Sequence, residues 1–201
     1  TDVFGCTDST GYNFNPLATI NNGDCVMLHP GVQVHGGIVF YVDETGEHGL
    51  VAAMEDLTEG ATDLYGWGIN GYEWGCLGEN VIGADGQAIG TGYQNTMDIV
   101  NQGCVTVSGG ITAAQAALDA EINGYSDWYL PSFDELIEMY STIGNEGLEG
   151  NIGGFDTSGL STYWSSSEHL NNVAWLVYFN NGNTGNYNKY FTGRVRVIRA
   201  F

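Results

Sequence analysis

Apolar and polar positions alternate at the spacing of β-strands in two parts of this 201-residue chain. Residues 36–54, GGIVFYVDETGEHGLVAAM, carry two apolar runs around the polar DETGEHG, which predicts a β-hairpin. Residues 162–201 contain TYWSSSE, VAWLVYF and RVRVIRAF, and an Asn-Gly turn follows VAWLVYF. Such turns join antiparallel strands, so this part is predicted to be a set of short strands.

Helical periodicity occurs only between these two β-rich parts. Residues 111–122 predict a helix that starts at Thr112 or at the Gly pair before it and stops at Asn-Gly. Residues 132–143 predict a second helix, in which Ser132 and Glu135 form a capping box. Its apolar residues recur at helical spacing and give one stripe for burial.

The segment between the hairpin and the first helix has neither periodicity. Residues 58–110 are rich in Gly and aromatic residues and are predicted to be a long irregular loop. The order is therefore strands, a long loop, two grouped helices and strands again. This order predicts an α+β fold, because helices that alternated with strands would instead indicate a parallel sheet.

Four cysteines divide the chain further. Cys6 and Cys25 bracket a polar segment rich in Asn, Asp and Gly, while Cys76 and Cys104 lie in the long loop. Three pairings are possible, and the sequence-local one is Cys6–Cys25 with Cys76–Cys104. Two disulfides would indicate an oxidising compartment. We expect a small stapled module with an N-terminal arm at 1–28 and a larger domain at 29–201.

The charge is strongly asymmetric. The formal net charge is −20, and all four cationic side chains lie after position 188. So few cations cannot neutralise phosphates, which argues against nucleic acid or an anionic membrane surface as a partner. No apolar run is long enough to cross a bilayer, so no membrane insertion is expected.

Several motifs resemble a known family. GGIVFYVDETGEHGLVAA, GADGQAIGTGYQNTMDIV, NGYSDWYLPSFDELIEMY, YWSSSE, AWLVYFNNG and RVRVIRAF occur in the family's order over about residues 31–201. Together they are similar to the Lcl C-terminal-type domain of secreted bacterial proteins, also called the major paralogous domain. This resemblance implies a C-type-lectin-like fold, akin to the formylglycine-generating enzyme domain, in which the first and last strands pair.

The N-terminal segment resembles a different family. Residues 5–25 are similar to a short GCTD…DGxC repeat of secreted and cell-surface bacterial proteins, whose acidic and amide residues suggest calcium-binding loops. Hard oxygen ligands in a short loop suit calcium. The alternative is that these residues only form turns. The predicted ligands are Asp8, Asn13, Asn15, Asn21 and Asp24.

The lectin-like resemblance also suggests glycan binding. The EPN, QPD and WND tripeptides of calcium-dependent lectins do not occur in the chain. Aromatic side chains of the long loop could stack on a sugar instead, or could simply pack the loop. These candidates are Tyr65, Trp67, Tyr72 and Trp74.

Catalysis is not expected. SSSEH at 165–169 contains Ser and His, but no GxSxG elbow is present, and a structural strand end is the simpler interpretation. Asp134 and Glu138 share one helix face, where solvation is the simpler role. No motif of a reactive Cys pair surrounds Cys76 and Cys104, so a formylglycine-generating activity is the weakest alternative.

The segregated charge suggests self-association instead. A surface that is acidic except at one strand carries its own complement, and head-to-tail contacts that do not close make filaments. The alternative is that these cations pair with carboxylates inside the domain. The predicted assembly residues are Val3, Phe4, Lys189, Arg194, Arg196 and Arg199.

Our leading hypothesis is a secreted, non-enzymatic structural protein that assembles with copies of itself into an extracellular fibre or cell-surface layer. The alternative is a monomeric adhesion or glycan-binding module. Copies of itself and glycans are the partners considered, and calcium is the cofactor considered.

Overall fold

The computed structural model describes residues 1–66 and 68–201 of the chain. The first strands are β1 (Phe4–Gly5), β2 (Ile20–Asn21), β3 (Gln33–Val34), β4 (Gly37–Val42), β5 (Gly49–Ala52) and β6 (Tyr72–Glu73). The helices follow as α1 (Gly92–Asn101), α2 (Ala113–Leu118) and α3 (Phe133–Ile143). The last strands are β7 (Thr162–Leu170), β8 (Val173–Tyr178), β9 (Thr184–Asn188), β10 (Thr192–Gly193) and β11 (Ile198–Ala200).

The predicted hairpin is the centre of a four-stranded sheet with the order β11-β5-β4-β3. β4 and β5 pair antiparallel, with an irregular register between Val39 and Tyr41. The last strand pairs with β5 rather than with the first strands of the domain. The two ends of the domain nevertheless meet, because the ring of Phe201 stacks on that of His35 at 4.6 Å between centroids.

The C-terminal strands form a second sheet, β7-β8-β9, which is entirely antiparallel. Helix α3 packs on β7 and β8 and also contacts β4, so it bridges the two sheets. Two hydrophobic clusters result. One is built around Trp74, Trp128 and Trp164, and the other around Phe40 and Phe179. The closing RVRVIRAF segment is a regular strand only at 198–200, which is shorter than predicted.

The predicted helices are present with the expected N-terminal caps. Thr112 accepts a hydrogen bond from the backbone N–H of Gln115. Ser132 and Glu135 form the reciprocal capping box. Helix α2 ends at Leu118, several residues before the predicted end at 122.

Helix α1 was not predicted, and the description of 58–110 as an irregular loop was wrong at residues 92–101. The reason lies in its buried face, which consists of Gly92, Asn95, Thr96 and Ile99 and so lacks an apolar stripe. Asn95 donates to the carbonyl of Gly86, and Thr96 donates to that of Leu130, at 3.2 Å. Gly92 is required at this point, since a Cβ there would lie 2.3 Å from Oε2 of Glu135 on α3.

In the part of the chain that the structure describes, the fold is thus α+β, with three short helices and predominantly antiparallel strands. Within residues 1–66 and 68–201, none of the helices has the length and apolarity that a membrane span requires. The assignment to a C-type-lectin-like fold and the boundary at 28/29 stay predictions.

Candidate functional site

Both disulfides join the sequence-local cysteine pairs, Cys6–Cys25 and Cys76–Cys104. The first closes the N-terminal module. The second connects the segment before α1 to the residues that follow this helix. Closing about 20 to 30 residues stabilises the folded state by roughly 3 kcal/mol in the chain-entropy account.

The four cationic residues do not form a free surface strip. Lys189 is fully buried, and its Nζ lies 2.5 Å from Oε1 of Glu168. The same Nζ donates to the carbonyl of Glu79 and lies 4.6 Å from the centre of the Trp74 ring. Burial lowers the pKa of Lys189, whereas Glu168 raises it.

The three arginines are paired in the same way. Arg196 is buried and donates from Nε to Asp56 at 2.8 Å, and its guanidinium also lies over the Phe155 ring. Arg199 binds both carboxylate oxygens of Asp127, at 2.7 and 2.8 Å.

The remaining arginine, Arg194, pairs with Asp156. Each cation at the end of the chain therefore has a carboxylate partner inside the same molecule. The sequence left internal and intermolecular pairing open, and the structure has the internal arrangement. Lys189, Arg194, Arg196 and Arg199 do not offer the uncompensated cationic strand that the assembly hypothesis required.

The N-terminal module holds itself together with short-range hydrogen bonds from Asx side chains. Asp8 accepts from the backbone N–H of Thr10, and Asn15 and Asn21 accept from amides two residues ahead. Asn13 accepts from Val26 N–H at 2.9 Å and donates to the carbonyl of Asp24. These oxygens make turns, which was the alternative to calcium ligation. Calcium binding by this module stays a prediction.

The module leaves its large apolar side chains outside. β1 and β2 are parallel neighbours, and Phe4 lies opposite Ile20 in their register. Phe4 is 64 % exposed, Ile20 is 38 % exposed and Leu17 is 75 % exposed. We name these three residues the N-terminal apolar surface. Val3 is half-buried, and its carbonyl accepts hydrogen bonds from Thr19 and Ile20, so the predicted N-terminal arm is folded onto the module.

A second exposed apolar surface lies beside the Cys76–Cys104 bridge. It consists of Leu77, Val105 and Leu170. The backbone N–H of Cys76 donates to Val105, and that of Gly78 donates to Asn171, which brings the three segments together. We name these three residues the disulfide-side apolar surface.

The aromatic residues of the long loop separate into two groups. Trp74 is fully buried and Tyr72 is 2 % exposed, so neither presents an open ring face on which a sugar could stack. Their role in ligand binding stays a prediction. Burial raises the pKa of Tyr72 to about 12, and its hydroxyl donates to the carbonyl of Glu59. Tyr65 is exposed, with its ring 5.0 Å from that of Phe191. Trp67 lies outside the described residues.

The serines of SSSEH are buried and tie separate segments together. Ser165 donates to the carbonyl of Trp175, and Ser166 donates to that of Pro131. Ser167 donates to the carbonyl of Gly86, and the ring of His169 packs on Trp175 at 4.4 Å. The three hydroxyls therefore have a structural role as hydrogen-bond donors between segments. The sequence had indicated only that SSSEH is the end of a strand.

The family model of the Lcl C-terminal domain matches residues 85–199, and the chain therefore belongs to that family. The matched range is narrower than the 31–201 over which the motifs suggested similarity. No curated protein matches the chain. The Lcl C-terminal domain and the two disulfides are consistent with a secreted-type surface protein.

Proposed function

We propose that the protein is a non-enzymatic structural protein of the cell exterior that associates head to tail with copies of itself through its N-terminal apolar surface. The observation that carries this proposal is the exposure of Phe4, Leu17 and Ile20 on a module whose buried hydrophobic residue is Cys6. A module this small has no core of its own in which to place them. Burial of such side chains against a partner is favourable at roughly 25 cal/mol per Å² of apolar surface.

The receiving surface in this proposal is the disulfide-side apolar surface of the next copy. It is exposed and is built from different segments, and its neighbours along the chain, Glu79, Asn80, Asn171 and Asn172, are exposed as well. A contact between two different surfaces of the same chain is heterologous, so it repeats along a filament unless the ring closes.

The net charge of the chain predicts how this assembly should depend on salt concentration. The net charge is −20, and the cations are already paired within the chain, so copies repel each other at low ionic strength. Salt at about 0.1 M reduces the screening length to about 10 Å. Assembly is therefore expected to increase with salt, which is opposite to what a cationic-strand interface would give.

Analytical ultracentrifugation and electron microscopy at about 20, 150 and 500 mM salt test the proposal, a series that spans Debye lengths from above 20 Å to about 4 Å. We expect polymers that grow with salt in the wild type and are lost in the double variant Phe4→Ser, Leu17→Ser. The matched control is Leu148→Ser, because Leu148 is fully exposed and lies outside both apolar surfaces. Particles of 21.6 kDa at every salt concentration would contradict the proposal.

A second candidate function is glycan binding at an aromatic cluster formed by Tyr65, Tyr187, Tyr190 and Phe191. Beside it lies a slot of about 20 Å³, lined in part by Phe191 and Tyr187. The slot has room for about one water, so a sugar would have to stack on the surface. Binding on a glycan array that is lost in Tyr190→Ala but kept in Tyr93→Ala, an exposed tyrosine on α1, would support this function.

A further inference from the structure

A groove of about 880 Å³ lies between residues 53–60 and the C-terminal end of α2 with the residues after it. It was not among the sites suggested by the sequence. Its volume is within the range of about 300–1,000 Å³ that is typical of ligand clefts. We name it the acidic groove.

The floor of the acidic groove is formed mainly by apolar side chains that are buried or half-buried. Ala53, Tyr72, Ala116 and Ala120 line it and are buried. Leu57, Ile111 and Ile122 line it as well and are half-buried. Ala116 on α2 and Ala120 after it leave space in the groove, because a longer side chain at either position would project into it.

The rims of the groove are acidic on both sides. Glu55 and Glu59 come from one wall, and Asp119 and Glu121 come from the other. All four are exposed. Asp56 also lines the groove, but its carboxylate is held by Arg196 and by the hydroxyl of Tyr163. Among the described residues that line the groove there is no Lys or Arg, so the four rim carboxylates are not neutralised from within.

The charge of the rims excludes a second copy as the natural occupant. The four Lys and Arg side chains of this protein are each engaged with a carboxylate of their own chain. A neighbouring copy would bring further negative charge to the groove. Phosphate-bearing ligands are disfavoured for the same reason.

We propose that the acidic groove binds a basic peptide segment of a different protein, with an apolar side chain on the floor and Lys or Arg side chains at the two rims. Rim charges steer such an encounter, and the apolar floor supplies the buried contact. The proposal is independent of the self-association proposed above, because it uses other residues and needs a cationic partner.

Calorimetric titration of the 201-residue chain at about 50 mM salt, where the Debye length is about 14 Å, tests the proposal. The probe is an acetylated, amidated Lys-Leu-Lys-Leu-Lys peptide. The comparison peptides carry Glu in place of Lys, or Gly in place of Leu, and spermine is a third comparison. We expect the Lys-Leu peptide to bind at least about tenfold more tightly than each of them, since charge and apolar contact act together.

Two variants with the same change in net charge locate the binding. Glu59→Gln with Asp119→Asn removes one carboxylate from each rim. Glu146→Gln with Glu149→Gln removes two exposed carboxylates outside the groove. We expect the affinity to fall about tenfold in the first and to stay within about twofold of wild type in the second.

Several outcomes would overturn the proposal. Equal losses in the two double variants would mean that the peptide only senses the total charge. Equal affinity for the Gly-substituted peptide or for spermine would mean that the apolar floor takes no part. Absence of binding by a variant whose circular dichroism spectrum matches wild type counts as a loss, and absence of binding by the wild type refutes the proposal outright.

Discussion

Asp8, Asn15 and Asn21 of the N-terminal module accept hydrogen bonds from backbone amides two positions ahead, whereas Arg196 of the C-terminal domain reaches Asp56 across 140 positions. The module uses its polar residues to shape turns and leaves its apolar residues at the surface. The domain buries large aromatic residues such as Trp74 and Trp164 and pairs its four cations with carboxylates of the same chain. The module is therefore held together by contacts between residues that are close in sequence, whereas the domain depends on contacts between distant residues. We expect substitutions in the two regions to affect stability differently.

The largest effect is expected from a buried ion pair of the domain. Arg196→Met removes a guanidinium that is 1 % exposed, so the carbonyls of Ala53 and Gly153 lose this donor and Asp56 keeps the hydroxyl of Tyr163 but loses its cation. Loss of one partner of a buried pair costs about 3–5 kcal/mol, so we expect a decrease of that size in the free energy of unfolding. Urea denaturation measures it. A decrease below about 1 kcal/mol, typical of exposed pairs, would mean that water replaces the pairing.

The two disulfides distinguish the regions directly. The double variant Cys76→Ser, Cys104→Ser is expected to lower the stability of the whole domain by roughly 3 kcal/mol. The double variant Cys6→Ser, Cys25→Ser is expected to disorder the module but to change the melting temperature of the domain by less than about 2 °C. A larger shift would require the stability of the domain itself to change by ~1 kcal/mol or more. Differential scanning calorimetry with amide hydrogen exchange measures both. A domain transition shifted equally by either double variant would contradict the independence of the module.

A smaller effect sharpens the comparison through pH. The hydrogen bonds from Arg199 hold the pKa of Asp127 below its usual value of 3.8 in the folded state. A carboxyl with a depressed folded pKa adds stability that is present above the unfolded pKa and disappears as the pH falls through the folded pKa. The stability difference between wild type and Asp127→Asn should therefore be largest above about pH 5 and decrease towards pH 3.

Urea midpoints measured between pH 3 and 7 test this dependence. The control is Asp8→Asn in the module, where the pKa is also lowered but the carboxyl is fully exposed. A difference for Asp127→Asn that does not vary with pH would show that its contribution is not ionic.

The parts of the fold that could be predicted are those encoded by neighbouring residues. Ser132 and Glu135 lie three positions apart and predicted the start of α3, and the apolar runs of 36–54 predicted the hairpin. Helix α1 could not be predicted, because Asn95 and Thr96 are buried by tertiary hydrogen bonds that a local pattern does not contain.

The candidate sites followed the same division. Composition showed that the cations are segregated, but their partners lie 21 to 140 positions earlier in the chain and only the folded structure identifies them. Tyr72 and Trp74 looked like an exposed aromatic loop, and the β6–β10 pairing instead places them in the core. The acidic groove joins residues 53–60 to 111–123, and no motif in either segment suggested it.

The order of charges along the chain also has a consequence for the time at which the domain can fold. The residues before Lys189 contain all 24 carboxylates and no Lys or Arg, and the cations that hold Glu168, Asp156, Asp56 and Asp127 come after them. A chain that emerges from its amino terminus is therefore a self-repelling polyanion for most of its length, which opposes collapse. Residues 189–199 follow all four of their carboxylate partners, so these ion pairs can form only after that segment has been synthesised.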